Sequence, residues 1–172
     1  MNPLLVNAAE LLRRPGSDRE LALTVPLVEL GVVDPSRFDD DAEVTVSLRL
    51  DSLSDGIVVH GVLHTPWRGV CRRCLVETSG VADSGVHELY QKVVTAADAF
   101  QMVGDQLDLR SVVRELVLLD APLTPLCRPD CAGLCPTCGV DRNTTTCECE
   151  PPPVDPRWAA LDVLKESADK PD

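Results

Sequence analysis

The chain has 172 residues, of which 44% are hydrophobic and only 3% aromatic. This length suits one domain with a small appendage and excludes a large multidomain enzyme. The formal net charge of -12 excludes a protein that coats nucleic acid or an anionic membrane over its whole surface. No apolar run is long enough to predict a membrane span, and the N-terminal segment lacks the pattern of a secretory signal, so we expect a cytoplasmic protein.

In the first third of the chain, the spacing of apolar residues changes from a helical period to the alternation of a strand. Apolar residues in the segment 4–14 recur with the spacing of a short amphipathic helix, which ends at Pro15-Gly16. The segment 21–30 is expected to be extended or irregular. Strict alternation over residues 43–50 then predicts a half-buried strand.

The middle of the chain predicts an antiparallel meander followed by a helix. A turn at Asp55-Gly56 leads into a second strand over residues 57–65, and further strands are predicted over 67–74 and 81–92. Asp108 is a candidate N-cap for a helix over residues 109–119. Pro122 follows that helix and ends it.

These elements predict an α+β fold, a small antiparallel sheet flanked by helices with a cysteine-rich zinc-binding C-terminal module. The expected domains are an α+β domain over residues 1–126 and a zinc module over residues 127–150. A Pro-rich acidic tail over residues 151–172 follows, with a short helix near residues 158–165.

Cysteine spacing is the strongest chemical signal in the sequence. In a reducing cytoplasm, clustered thiols favour a metal site over disulfides, because thiolates are soft ligands that bind zinc tightly. Two pairs have the two-residue spacing of a zinc knuckle. The eight candidate ligands are Cys71, Cys74, Cys127, Cys131, Cys135, Cys138, Cys147 and Cys149.

The cysteines can be divided between ions in more than one way. The preferred partition puts Cys71, Cys74, Cys127 and Cys131 on one Zn²⁺, because an ion that clips together distant segments closes a long loop. The last four cysteines would hold a second Zn²⁺.

Three alternatives remain open at this level. One is a single ion on Cys131, Cys135, Cys138 and one of the last two cysteines; another is a set of disulfides or unpaired buried thiols. The third is a simple iron–sulfur carrier, although only 34 residues follow Cys138, too few for the barrel that follows a C-x3-C-x2-C cluster motif in radical enzymes.

Support for catalysis is thin. The sequence has no Gly-rich phosphate loop, nucleophile elbow or H-E-x-x-H motif, so we expect a protein that is not an enzyme and has no small-molecule substrate. His60 and His64 fall on one face of a predicted strand, about 13 Å apart along it, which is too far to share an ion. We interpret them as polar strand positions.

The most basic window of the chain lies beside the first cysteine pair. It contains Trp67, Arg68, Arg72 and Arg73 and no acid. Arginine suits bidentate phosphate contacts and an indole can stack on an unpaired base, so these four residues are the candidate RNA-binding edge. The alternative is a set of solvated surface arginines.

The ordered combination of motifs resembles a known family. These motifs are Cys71-Arg72-Arg73-Cys74-Leu75, the stretch from Asp108-Leu109 to Ala121-Pro122-Leu123, and Cys127-x3-Cys131-x-Gly133-Leu134-Cys135-Pro136-x-Cys138-Gly139-x3-Asn143. Together they are similar to the YceD family of large ribosomal RNA subunit accumulation proteins, and Arg13-Arg14-Pro15-Gly16-Ser17 resembles the N-terminal segment of its actinobacterial members.

The resemblance implies a non-enzymatic role in 23S rRNA accumulation and large-subunit assembly. The cysteines would then be structural zinc ligands that shape a surface for precursor large-subunit rRNA or for a basic ribosomal protein. Two other classes of function remain: a redox-sensing zinc chaperone whose thiolates release metal on oxidation, and a transcriptional or protein-interaction module.

Overall fold

The computed structural model describes residues 3–150 and 155–161, and strands make up most of its regular structure. In chain order the strands are β1 (Leu5–Asn7), β2 (Asp18–Pro26), β3 (Glu43–Ser52), β4 (Ile57–Val70), β5 (Glu77–Gln91), β6 (Phe100–Gln101) and β7 (Gln106–Asp108). The helices are α1 (Ala9–Leu12) and α2 (Arg110–Asp120), with 3-10 turns at Leu27–Leu30 and Pro156–Leu161.

Five of the strands form one sheet in the order β2-β3-β4-β5-β6. Strands β2 to β5 pair antiparallel with their neighbours, and β6 adds a short parallel edge beside β5. Strands β1 and β7 form a separate antiparallel pair that brings the N-terminal segment next to the start of α2. The sheet is therefore mainly a meander of consecutive strands.

One face of the sheet carries the core. In β3, Val44, Val46, Leu48 and Leu50 are buried and alternate with polar side chains, because successive side chains of a strand point to opposite faces. Helix α2 contacts β4 and β5 and buries its apolar side there. With so few aromatic residues, the core is built mainly from Val and Leu.

The structure confirms the antiparallel sheet and corrects the helices. Only α2 is a substantial helix among the described residues, so the expectation of a sheet flanked by helices is not supported and the fold is mostly sheet. The N-terminal helix predicted over residues 4–14 shrinks to the four residues of α1. Strand β1 precedes it, because Val6 pairs with Leu107 of β7.

Three other segments can be compared with the sequence prediction. The stretch expected to be extended or irregular over residues 21–30 contains most of the edge strand β2, in agreement with the extended alternative. The third and fourth predicted strands are the end of β4 and the body of β5. The helix predicted over residues 109–119 is confirmed as α2. Most of the predicted tail lies outside the described residues, and the division of the chain into domains stays a prediction.

The hairpin of β4 and β5 positions the cysteine-rich end of the molecule. Pairing of β3 with β4 begins at Thr45 opposite His64, whereas pairing of β4 with β5 continues to Val70 opposite Glu77. The hairpin therefore extends past β3 and presents its turn to the chain that follows α2. That chain passes close to the hairpin, where the backbone N–H of Arg72 donates to the carbonyl of Pro125 at 3.0 Å.

Candidate metal centres

The hairpin turn and the chain after α2 bring four cysteines together. The Sγ atoms of Cys71, Cys74, Cys127 and Cys131, called here the first cluster, all lie within 4.8 Å of one another. The Sγ atoms of Cys71 and Cys131 are 3.8 Å apart, and those of Cys74 and Cys127 are 3.6 Å apart. Cys71 and Cys131 are buried, whereas Cys127 is exposed.

The last four cysteines form the second cluster. The Sγ atoms of Cys135, Cys138, Cys147 and Cys149 also lie within 4.8 Å of one another. Cys147 Sγ lies 3.2 Å from the sulfur of Cys135 and 3.5 Å from that of Cys138. Cys135 is buried and the other three are at least partly exposed, so this cluster lies nearer the surface.

The geometry of both clusters fits a tetrahedral ion. Four sulfurs at the usual Zn–S distance of about 2.3 Å lie about 3.8 Å from one another, close to the separations seen here. All eight cysteines are free, and their sulfurs are much further apart than the roughly 2.05 Å of a disulfide. In an iron–sulfur cluster the four thiolates are divided between two or four irons, so the sulfurs on different irons lie further apart than those around one ion.

The structure gathers the cysteines in the two groups of four that the preferred partition names. Cys131, which the single-ion alternative would place with Cys135 and Cys138, has its sulfur among those of the first cluster. Two sites able to hold metal ions are therefore present, and the identity of the ions stays a prediction.

The two clusters begin with the same local turn. In the first, the N–H of Leu75 donates to the carbonyl of Cys71 at 2.9 Å, and in the second the N–H of Gly139 donates to Cys135 at 2.9 Å. Both Leu75 and Gly139 have left-handed backbones, with φ of 62° and 74°. The repeated turn aims two sulfurs at one point, as in a zinc knuckle.

Replacing Leu75 with glycine is expected to stabilise the protein by about 0.5–1 kcal/mol. A left-handed residue with a Cβ costs about 1–2 kcal/mol, and glycine removes that cost while losing about 0.5–1 kcal/mol of backbone entropy on folding. The Leu75 side chain is 63% exposed, so its loss removes little burial. Thermal unfolding of the metal-loaded protein measures the gain.

Leu75→Ala is the matched control, because it shortens the side chain but keeps the strained Cβ. It should give no gain in melting temperature. A glycine variant no more stable than the alanine variant would contradict the strain argument.

Backbone N–H groups favour one thiolate in each cluster. Burial opposes ionisation of Cys71, but the N–H groups of Cys127, Cys74 and Arg73 donate to its sulfur and lower its pKa to about 6. The N–H groups of Cys138 and Thr137 likewise lower the pKa of Cys135 to about 6. A preformed thiolate at each knuckle is a starting ligand for a cation.

One exposed thiol in each cluster holds its proton more firmly. Burial, followed by hydrogen bonds with the other thiols of the first cluster, raises the pKa of Cys127 to about 12. Hydrogen bonds with Cys147 and Cys138 raise the pKa of Cys149 to about 12. Four thiolates side by side need a cation to balance their charge, so metal binding displaces these protons.

Asn143 connects the first cluster to the loop of the second. Its amide nitrogen donates to the sulfur of Cys131 at 3.4 Å, and its amide oxygen accepts from the backbone N–H of Ala132 and the guanidinium of Arg128, both at 2.8 Å. Burial opposes ionisation of Cys131, but the bond from Asn143 helps to lower its pKa. Asn143 belongs to the family-like motif, yet spacing alone gave no indication of these partners.

The candidate RNA-binding residues lie close to the first cluster, but some of their side chains already have partners within the protein. Arg68 is paired with Asp39 at 3.0 Å and donates to the carbonyl of Pro35. Arg73 donates to the carbonyl of Cys131 at 2.9 Å and so braces the cluster. Trp67 is half-buried against the core.

Arg72 alone among the three arginines has a guanidinium without a protein partner in the described part of the chain. Whether this edge contacts RNA stays a prediction.

The three histidines share the solvent-facing side of the sheet. His60 lies opposite His87, and His60 and His64 each pair with a carboxylate, Asp51 at 2.6 Å and Asp83 at 2.7 Å. Within the described residues, no group of three or more potential ligands other than the two cysteine clusters could hold a metal ion. The histidines are therefore polar strand positions with acidic neighbours.

A comparison with known protein families shows one family whose model matches most of the chain. The profile described as large ribosomal RNA subunit accumulation protein YceD matches residues 59–165, which include both clusters. The chain belongs to the YceD family. No solved structure matches it.

Relatives of this YceD protein extend over nearly its whole length. An uncharacterized protein of Mycobacterium tuberculosis is 34% identical over 171 residues, covering 93% of this chain and 80% of the relative. An uncharacterized protein of Mycobacterium leprae is 31% identical over 172 residues, covering 94% of this chain and 77% of the relative.

A chloroplastic protein of Zea mays carries a functional name. It is named large ribosomal RNA subunit accumulation protein YCED homolog 1, and it is 38% identical over 53 residues, or 30% of this chain and 18% of the relative. Among the residues that the structure describes, no helix of this YceD protein is long and apolar enough to cross a membrane.

Proposed function

We propose that this YceD protein is a non-enzymatic factor in the assembly of the large ribosomal subunit, and that it supports accumulation of 23S rRNA in the cytoplasm. Membership in the YceD family is the observation that carries the proposal, because the family is described by that role. The name of the Zea mays relative supports it.

The metal centres have a structural role in this proposal. Each cluster supplies four thiolates, the full coordination of a tetrahedral Zn²⁺, and so leaves no open position for a substrate or an activated water. The first ion would join the hairpin turn at Cys71 and Cys74 to the segment after α2. The zinc module over residues 127–150 would thereby be fastened to the domain over residues 1–126.

Elemental analysis of protein purified without added metal tests the zinc assignment. Two equivalents of zinc and a colourless protein are expected. One equivalent of zinc would contradict the two-site arrangement. Iron together with a visible absorption band would indicate an iron–sulfur cluster instead of zinc. Release of zinc at low peroxide would favour the redox-sensing chaperone over a structural role.

Deletion of the gene tests the assembly role. We expect less 23S rRNA and fewer large subunits on sucrose gradients, with recovery when the wild-type gene is returned. An unchanged subunit profile during slow and fast growth would contradict the proposal.

Complementation with Arg72→Glu tests the RNA-binding edge in the same strain. Arg114→Glu is the matched control, because Arg114 is an exposed arginine on α2 and makes no ion pair with the residues that the structure describes. If Arg72→Glu fails to restore the subunit profile and Arg114→Glu restores it, RNA contact at this edge is supported. If both variants restore the profile equally, the RNA-binding edge is contradicted.

A further inference from the structure

Strand β2 lies at one end of the five-stranded sheet, and in the described part of the chain it pairs only with β3. Two hydrogen bonds fix which of its backbone groups point toward β3. The N–H of Ser52 donates to the carbonyl of Ser17 at 2.9 Å, and the N–H of Leu27 donates to the carbonyl of Ala42 at 2.9 Å. Because an antiparallel pair forms its hydrogen bonds at every second residue, the odd-numbered residues of β2 bond to β3 and the even-numbered residues point outward.

Four residues therefore present their backbone groups at the outside of the sheet. They are Asp18, Glu20, Ala22 and Thr24, called here the β2 edge. All four are exposed, and their backbone N–H and C=O groups have no hydrogen-bond partner among the residues that the structure describes. A row of free N–H and C=O groups on an exposed strand is a template for pairing with another strand.

The middle of β2 carries none of the features that usually protect an exposed sheet edge. Residues 21–25 read Leu-Ala-Leu-Thr-Val, without a charge, a glycine or a proline. The pairing with β3 runs residue for residue from Asp18 to Pro26, so the strand has no bulge. Natural edge strands are commonly guarded by lysine, proline or a bulge. The β2 edge is therefore open to a partner strand.

The outer edge of β5 is better protected. The N–H of Met102 donates to the carbonyl of Gln91, so the odd-numbered residues of β5 point outward, and β6 pairs with only two residues there. Gly80 and Gly85 weaken this strand for pairing. Glu88 lies opposite the buried Val59 and so points to the core side, and an inward-pointing charge is a further natural guard.

The sequence of β2 is complementary to itself in an antiparallel pair. If a two-fold axis passes through Ala22, each outward-pointing residue meets an outward-pointing residue of a second copy. Leu21 then lies opposite Leu23 of the second copy, and Glu20 lies opposite Thr24 of the second copy. Both leucines are partly buried against their own core and pair on the same side of the sheet. No charged side chain faces a like charge in this register, and apolar pairs across two strands are stabilising.

The charge at this edge is partly compensated within each copy. Arg49 of β3 lies opposite Glu20 and is paired with Asp18 at 3.4 Å. The net charge of -12 on each copy still opposes association at a distance. Salt screens that repulsion, so the pairing should become tighter as salt is added.

We propose that β2 is a self-association surface, through which two copies of this YceD protein join their sheets edge to edge about a two-fold axis at Ala22. The two sheets then form one continuous sheet. A single strand pair is a small interface, so the dimer is weak and depends on protein concentration. Strand β3 separates β2 from the hairpin that carries the first cluster, so that cluster stays outside the interface. The association does not depend on the assembly role.

Sedimentation equilibrium of the full-length, metal-loaded protein tests the dimer. A thiol reductant in the buffer excludes dimers linked through exposed cysteines. The mass is expected to rise from monomer to dimer with protein concentration, and the dissociation constant is expected to fall as salt is added. Ala22→Lys should weaken dimerisation at least about tenfold, because two lysines then face each other across the axis.

Ser47→Lys is the matched control for Ala22→Lys. Ser47 is exposed and lies beside Ala22 on the same side of the sheet, but on the inner strand β3. It makes the same change in net charge without adding a side chain to the edge, so it should dimerise at least as tightly as the wild type. Protection of the Leu21 and Leu23 amides from hydrogen exchange shows whether each variant keeps β2 paired with β3.

Hydrogen exchange measured by NMR at low and high protein concentration locates the interface. The amides of Glu20, Ala22 and Thr24 should gain protection at high concentration. Those of Val81 and Asp83, which point outward on β5, should not change.

Four results would overturn the inference. The first is a protein that stays monomeric up to about 1 mM. The second is an Ala22→Lys variant that dimerises as tightly as Ser47→Lys. The third is a dimer that dissociates when salt is added, and the fourth is concentration-dependent protection on β5 instead of β2.

Discussion

Cys131→Ser is expected to remove one of two zinc equivalents and to lower the free energy of unfolding by about 3–5 kcal/mol. Cys131 is buried, and its sulfur lies 3.8 Å from that of Cys71 at the hairpin turn. The ion on the first cluster joins residues 71–74 to residues 127–131, and the chain between them contains β5 and α2. Opening so long a loop releases much conformational entropy in the unfolded chain.

Cys138→Ser in the second cluster is the matched control. It should also remove one zinc equivalent, but its cluster closes only the short segment 135–149, so it should cost less. Calorimetric melting and elemental analysis of both variants measure the difference. A loss of about 10 °C or more is expected for Cys131→Ser. Equal melting temperatures would contradict the loop argument, and retention of two zinc ions by Cys131→Ser would contradict the first site.

Asn143→Ala is expected to weaken zinc binding at the first cluster about 10- to 100-fold, the usual effect of losing a hydrogen-bonding partner of a metal ligand. The substitution removes the donor to Cys131 and leaves the N–H of Ala132 and the guanidinium of Arg128 without their shared acceptor. Competition with a chromophoric chelator measures the affinity of each site.

Thr144→Ala is the neighbouring control. Thr144 is exposed, and among the described residues its hydroxyl forms hydrogen bonds only within its own loop, to Asp141 and Thr145. Its zinc affinities should match those of the wild type. If Asn143→Ala leaves the first-site affinity unchanged, the hydrogen bond to Cys131 has no influence on the metal.

The local spacing of apolar residues was sufficient to predict the elements that bury one side against the core and expose the other to solvent. The alternation in β3 and the apolar stripe of α2 are examples. It failed where pairing between distant segments decides the structure. The helix-like spacing at the N-terminus is overridden by pairing with β7. For residues 21–30 the pattern left an extended and an irregular segment as alternatives, because the edge strand β2 has only one neighbour to shape its pattern. Pro66 hid the continuity of β4, since a proline normally interrupts a strand.

In the metal clusters, too, local features could be predicted from the sequence and contacts between distant segments could not. The two-residue spacing reveals which cysteines share a turn, but it cannot show which segments meet in space. The partners of Arg68 and Arg73 are far away in sequence, so the sequence did not show that these two guanidinium groups are already bound within the protein. The left-handed backbone of Leu75 had no signal, because leucine rarely takes that conformation.

The span of the first cluster has a consequence for how the protein matures during translation. The hairpin of β4 and β5 can pair as soon as residue 91 leaves the ribosome, but two of the four sulfurs at its turn are still to be synthesised. Asn143, which bonds to Cys131, emerges later still. The first cluster therefore lacks two of its four sulfurs while the hairpin strands are already synthesised, and an ion can join the hairpin turn to the segment after α2 only once residue 131 has emerged.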